Sequence, residues 1–174
     1  MAKGGRPRKY DPIADDISFA IDESRNDEAK NLIASSSVDL TDGEGRTPLI
    51  YAAFSGNIEM LKWLIEHKAN INIQDRNGWC ALHAASQNKH IEAIEILIDS
   101  EANLNLTDSY GNGPLWTATM NARGDNTIPK LLLAAGADAD HKNNSDRSPN
   151  DMVEIMAKNR KLMAEQSAKT KPNK

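Results

Sequence analysis

One spacing constrains this chain more than any other: Asp42, Asp75 and Asp108 lie thirty-three residues apart, and so do Gly45, Gly78 and Gly111. The neighbourhood of each pair repeats as well. Thr47-Pro48-Leu49-Ile50-Tyr51-Ala52-Ala53, Cys80-Ala81-Leu82-His83-Ala84-Ala85 and Pro114-Leu115-Trp116-Thr117-Ala118 follow the successive glycines. After a polar break, the apolar runs Ile58 to Ile65 and Ile91 to Ile98 occupy matching positions. A fixed period of this size implies stacked like units, each covering the apolar face of the next, rather than one globular core.

Within a unit the residues read as a turn and two helices. Asp-x-x-Gly is a tip in which the glycine takes positive φ without a Cβ clash. Thr47 is placed as N-cap and Pro48 at the first helical position, so an inner helix starts abruptly there. Leu49, Ala52 and Ala53, like Leu82, Ala85 and Ser86, face the neighbouring units, their small members permitting close stacking. Leu61, Leu64 and Ile65, with Ile94, Leu97 and Ile98, make the apolar stripe of the outer helices. Trp63 falls in that stripe and is read as core.

The segments Thr47-Pro48-Leu49-Ile50-Tyr51-Ala52 and Cys80-Ala81-Leu82-His83-Ala84-Ala85, with the endings Glu66-His67-Lys68-Ala69-Asn70-Ile71-Asn72 and Ala135-Gly136-Ala137-Asp138, resemble ankyrin repeats. The resemblance implies an all-α solenoid of helix-turn-helix units joined by β-hairpin-like loops. Its units run over residues 39–71, 72–104 and 105–139, the last with a two-residue insertion. They are flanked by a degenerate capping repeat at 11–38 and a second cap at 140–160. Asp11-Pro12 opens the first cap, whose Ile13, Ile17, Ala20 and Ile21 repeat at helical spacing. Asp15, Asp16, Asp22, Glu23 and Glu28 are expected on its outward, solvated face. Ser148-Pro149 opens the last helix, carried through Met152, Val153, Ile155 and Met156. Beyond it, residues 161–174 are expected to be a fraying basic tail.

The charge is unevenly distributed. The net −4 includes +4 from residues 1–10 and +5 from residues 158–174, so the middle carries −13. Phosphate is repelled by such a body, and nucleic acid, if bound, would be held by the tails. In the first tail, expected to be disordered, Gly5-Arg6-Pro7-Arg8-Lys9 resembles an AT-hook core, with Arg6, Arg8 and Lys9 as the residues entering a narrow A·T minor groove. A plain solubilising tail is the competing account. No apolar run reaches a membrane span of about 18 residues and the N-terminus lacks a signal-like apolar stretch. Cys80 has no partner for a disulfide within the chain. These features point to a soluble protein of the cytoplasm, or of the nucleus in a eukaryote.

Little in the sequence resembles chemistry. Cys80 and His83 share a helix face at i and i+3, but zinc needs three or four ligands. The resemblance instead implies that His83 hydrogen-bonds across hairpin bases, and that His67 and His90 are structural. No phosphate loop or nucleophilic triad can be nominated, so no enzyme, cofactor or metal is expected. What the resemblance does imply is a concave binding surface. From the first unit it takes Glu44, Arg46, Phe54 and Ser55, and from the second Arg76, Asn77, Trp79, Gln87 and Asn88. The third adds Ser109, Tyr110, Asn112, Met120 and Asn121. Phe54, Trp79 and Tyr110 lack an evident core slot, and exposed aromatics with arginines are the residue types that anchor interfaces.

The expected function is therefore a monomeric protein-interaction module, biased by charge toward a partner with basic patches. Two alternatives stand beside it: a DNA-tethered adaptor, and an inhibitor or immunity-type protein that occludes an enzyme. The turn Ala122–Thr127, two residues longer than its counterparts, reads either as a tolerated insertion or as a reach toward a partner.

Overall fold

The structure is a computed structural model and describes residues 11–169. Among these residues it contains nine helices and no strand. They alternate between two layers. The inner row is α1 (Ile13–Asp22), α3 (Pro48–Ser55), α5 (Ala81–Asn88), α7 (Pro114–Asn121) and α9 (Pro149–Lys169), each packed on the next. The outer helices are α2 (Asn26–Ala34), α4 (Ile58–Glu66), α6 (Ile91–Asp99) and α8 (Thr127–Ala134), and each pairs with the inner helix before it.

The recurring aspartate builds each tip. Asp42 Oδ1 accepts the backbone N–H groups of Glu44 at 2.7 Å and Arg46 at 2.8 Å. Asp75 does the same for Asn77 and Trp79 at 2.8 and 2.9 Å, and Asp108 for Tyr110 and Asn112, both at 2.8 Å. A short side-chain acceptor that turns back on its own backbone is what this geometry needs. Asn143 supplies it for a fourth tip, accepting from Ser145 and Arg147. Successive tips are laced together: Arg76 N–H donates to Glu44 O at 2.9 Å, Ser109 N–H to Asn77 O at 2.8 Å, and Asn144 N–H to Tyr110 O at 2.9 Å. That close approach makes the tip glycine necessary twice over. Gly78 has φ +81°, and a Cβ there would stand 2.7 Å from Asp108 Cα.

The helix starts follow local chemistry. Thr47 Oγ1 accepts the Ile50 N–H at 3.3 Å ahead of Pro48, and at α1 the Asp11 carboxylate accepts the Ile13 N–H at 3.2 Å. In the second repeat Cys80 precedes the helix, and His83 Nδ1 reaches back to accept the Cys80 N–H at 3.3 Å. Leu49, Ala52, Ala53, Leu82, Ala85 and Ser86 are buried between inner helices. Leu61, Leu64, Ile94 and Leu97 seal the outer layer, with Ile65 and Ile98 half-buried beside them. Trp63 is half-buried against the same core, and its ring stacks on His67 at 3.9 Å.

Two stretches depart from the simple repeat. In the first and second units the inner helix ends on a left-handed residue, Gly56 (φ +70°) or Lys89 (φ +62°). In the third, Ala122 stays helical at φ −58° and the left-handed step moves to Arg123 and Gly124. Asp125 then starts α8 by accepting from Thr127 N–H at 3.0 Å and Thr127 Oγ1 at 2.6 Å. The second departure corrects an expectation: α9 does not fray after residue 160 but remains helical to Lys169. Lys, Arg, Leu, Met, Ala, Glu and Gln dominate this stretch and are good helix formers, so local propensity carries the helix past the point where the apolar period is lost.

Candidate functional site

Along the inner row runs a groove of about 620 Å³ between α1, α3, the first two tips and α5. Four of the residues singled out by sequence line it: Arg46, Phe54, Asn77 and Trp79. The others lie elsewhere. Glu44 and Arg76 pair with each other at 3.6 Å at the exposed tips, and Ser55 Oγ donates to its own helix at Tyr51 O. Asn88 Nδ2 donates to Phe54 O at 2.6 Å, while Asn121 Nδ2 donates to Gln87 Oε1 at 2.7 Å, so these amides tie neighbouring inner helices together. Asn112 is half-buried, its carbonyl accepting from His83 and its side chain meeting Asn143 at 2.7 Å. Ser109 and Tyr110 stand out at the third tip, Tyr110 71% exposed. Met120 belongs to a second groove, of about 270 Å³, between the long turn and α9.

The aromatic residues of the main groove are positioned by different means. Phe54, on α3, is 47% exposed. Trp79 is half-buried and stacks on His83 at 6.0 Å, which anchors one side of the indole. Tyr51 is held at the groove floor: its Oη donates to Asp42 Oδ2 at 2.8 Å and accepts from Arg46 Nη1 at 3.2 Å. Burial, and then the bond to Asp42, push the Tyr51 phenol up, so it works as a fixed hydrogen-bonding group. The same contacts fix Arg46, whose guanidinium also lies 5.8 Å from the Tyr51 ring.

Sequence reasoning missed the contribution of α1. Phe19, 59% exposed, and Asp22 both line the groove. Asp22 was expected on the outward, solvated face of the cap. It is exposed, as expected, and it also lines the groove; local desolvation, followed by the neighbouring Glu23, raises its carboxyl above the usual carboxylate range. The available signal was Phe19 itself, a large aromatic that falls off the Ile13, Ile17, Ala20, Ile21 stripe.

The histidines and cysteine are engaged in the scaffold. His83 Nδ1 accepts from the Cys80 backbone, so Nε2 carries the hydrogen and donates to Asn112 O at 3.1 Å, joining α5 to the third tip. Burial lowers the His83 pKa and raises that of the Cys80 thiol, keeping both neutral. His67 contacts Trp63 O at 2.8 Å and His90 contacts Phe54 O at 3.0 Å. Among the described residues no group of three or more His, Cys, Asp or Glu is placed to hold a metal ion, and no helix is long and apolar enough to cross a membrane. Arg6, Arg8 and Lys9, the nominated nucleic-acid contacts, lie outside the described residues.

The family model described as ankyrin repeats matches the chain in three copies, over residues 17–108 and 67–143. No curated protein matches it in sequence. Ankyrin repeats are generally protein–protein interaction modules and typically non-enzymatic scaffolds. With the repeats matched over more than half its length, and helix pairs stacked in the register of the thirty-three-residue period, the chain belongs to the ankyrin-repeat family.

Proposed function

We propose that this chain is a non-enzymatic protein-interaction module whose working surface is the groove between α1, α3, α5 and the first two tips. One observation carries the reading: Phe19, Phe54 and Trp79 reach a single groove of about 620 Å³ from three successive units. Such rings, rimmed by fixed polar groups, supply the large rigid contact area typical of interface anchors. In this reading the chain acts as a monomer inside the cell, and the acidic middle section favours a partner with basic patches.

The test is affinity capture from native extract with the full chain, the Phe54→Ala/Trp79→Ala variant and a chain lacking residues 1–10, each with and without nuclease. A protein retained after nuclease and lost, by about tenfold or more, only with the double variant is the expected result. Unchanged recovery by a folded double variant would sink the groove as the working surface. Recovery that needs both nucleic acid and residues 1–10 would transfer the function to Arg6, Arg8 and Lys9 and the DNA-tethered reading. An inhibitory role is the same contact with an enzyme as partner, and stoichiometric loss of that enzyme's activity would identify it.

A further inference from the structure

The groove is chemically uneven along its length. At the tip end each charged group has a hydrogen-bond partner. Arg46 bonds to Tyr51, Tyr51 to Asp42, and Asp75 uses Oδ1 on the N–H groups of Asn77 and Trp79. At the α1 end the charged lining residue is Asp22, and among the described residues no hydrogen bond or ion pair reaches its carboxylate. The cation closest along the chain, Arg25, is already taken: it pairs with Glu28 at 2.6 Å and lies 4.9 Å from the Phe19 ring centre. Glu23 adds a like charge beside Asp22. The lining residues Asp22, Asp75 and Arg46 sum to −1, and of the three only Asp22 lacks a hydrogen-bond partner among the described residues.

A carboxylate without a partner on the wall of a groove, next to exposed aromatic rings, is a combination that a cation relieves in two ways. Coulomb attraction is stronger there than in bulk water, and ring faces attract cations through their quadrupole. The apolar stem of a lysine or arginine also packs along such rings while its head stays polar. We propose that the α1 end of the groove receives one basic side chain, lysine or arginine, from the protein partner, with Asp22 as its counter-ion and Phe19 and Phe54 as its walls. This assignment rests on the groove being the protein-binding surface.

The probe is a displayed library of random dodecapeptides selected on the full chain, with the selected sequences synthesised and their affinities measured. The expected peptides share one lysine or arginine. Replacing that residue by norleucine or citrulline weakens binding about tenfold, and Asp22→Asn does the same. Combining the two changes brings little further loss, because both remove one interaction. Asp22→Glu retains most of the affinity. Peptides that depend on Phe54 and Trp79 but carry no basic residue, or that bind Asp22→Asn as tightly as the unaltered chain, would overturn the cation assignment and leave the groove reading standing. Selection of nothing, or of peptides indifferent to Phe54→Ala/Trp79→Ala, would overturn the groove reading and the assignment with it. The norleucine arm alters only the peptide, so its outcome is independent of any effect of Asp22→Asn on folding.

Discussion

The two ends of the stack are closed differently. At the amino-terminal end α1 and α2 form a complete pair. Ile17, Ala20, Ile21, Ala29 and Ile33 are buried between them and the first full repeat. At the other end α9 is longer than any other helix, yet Met152, Ile155 and Met156 are only half-buried, and Val153, Leu162 and Met163 are exposed. Its principal neighbour is α7, and among the described residues no outer helix pairs with it. The contrast shows what burial in a stack depends on. Helix length contributes little, whereas an inner helix becomes core when its own outer partner and the adjacent unit both cover it. The candidate groove lies toward the well-closed end, where the first cap contributes Phe19 and Asp22.

The largest expected effect tests that contrast directly. Ile21→Ala removes a fully buried side chain and is expected to cost about 2–5 kcal/mol, whereas Met156→Ala at the other end is expected to cost about 1 kcal/mol. Urea unfolding of both variants measures the difference, and equal losses would mean that the two ends are equally well packed. Next in size is a comparison of two glycines. Gly78→Ala forces a left-handed Ala into the backbone of the next tip and is expected to cost about 2 kcal/mol or more. Gly124→Ala, in the long turn, meets nothing within 4 Å and is left with the conformational term of about 1 kcal/mol. If the two cost the same, the lacing of tips is not what demands the glycine.

The smallest effect concerns the joint between the halves, at His83. Its folded pKa lies below the ordinary value because the ring is buried. Above about pH 6.5 the ring is neutral in both folded and unfolded chains, and nothing is lost. As the pH falls below that, the unfolded chain takes up a proton that the native state refuses, so stability declines toward the folded pKa, by at most about 1.4 kcal/mol per pH unit. Ile50 and Trp116 occupy the corresponding positions in the neighbouring repeats and do not titrate. Melting curves from pH 7.5 to 5.5 should therefore show a component of acid sensitivity in the unaltered chain that His83→Asn lacks. A slope unchanged by that substitution would assign the sensitivity to other groups.

Much of the repeat was legible because it depends on contacts a few residues long. The tip aspartates bond to N–H groups two and four residues ahead, Thr47 to one three ahead, and residue identity alone announces these bonds. The helical extension to Lys169 was misread because loss of apolar period was weighed above helix propensity. The groove was only half legible. Phe54 and Trp79 could be nominated from their place in the period, but Phe19 and Asp22 belong to a cap too divergent to be aligned with it.

By itself, then, the sequence determined the period, the tips, the helix starts and the apolar faces, since each follows from hydrogen bonds or side-chain spacing within one unit. Only the tertiary structure decided which exposed side chains meet. Asp22, Tyr51 and Trp79 come from three units, and their convergence depends on how α1, α3 and α5 are laid side by side. The packing of buried small residues such as Ala20, Ala52 and Ala85 sets that arrangement. The same packing leaves Arg46 hydrogen-bonded to Tyr51 at one end of the groove and Asp22 unpartnered at the other, because side-chain reach, rather than order along the chain, selects the groups that can pair.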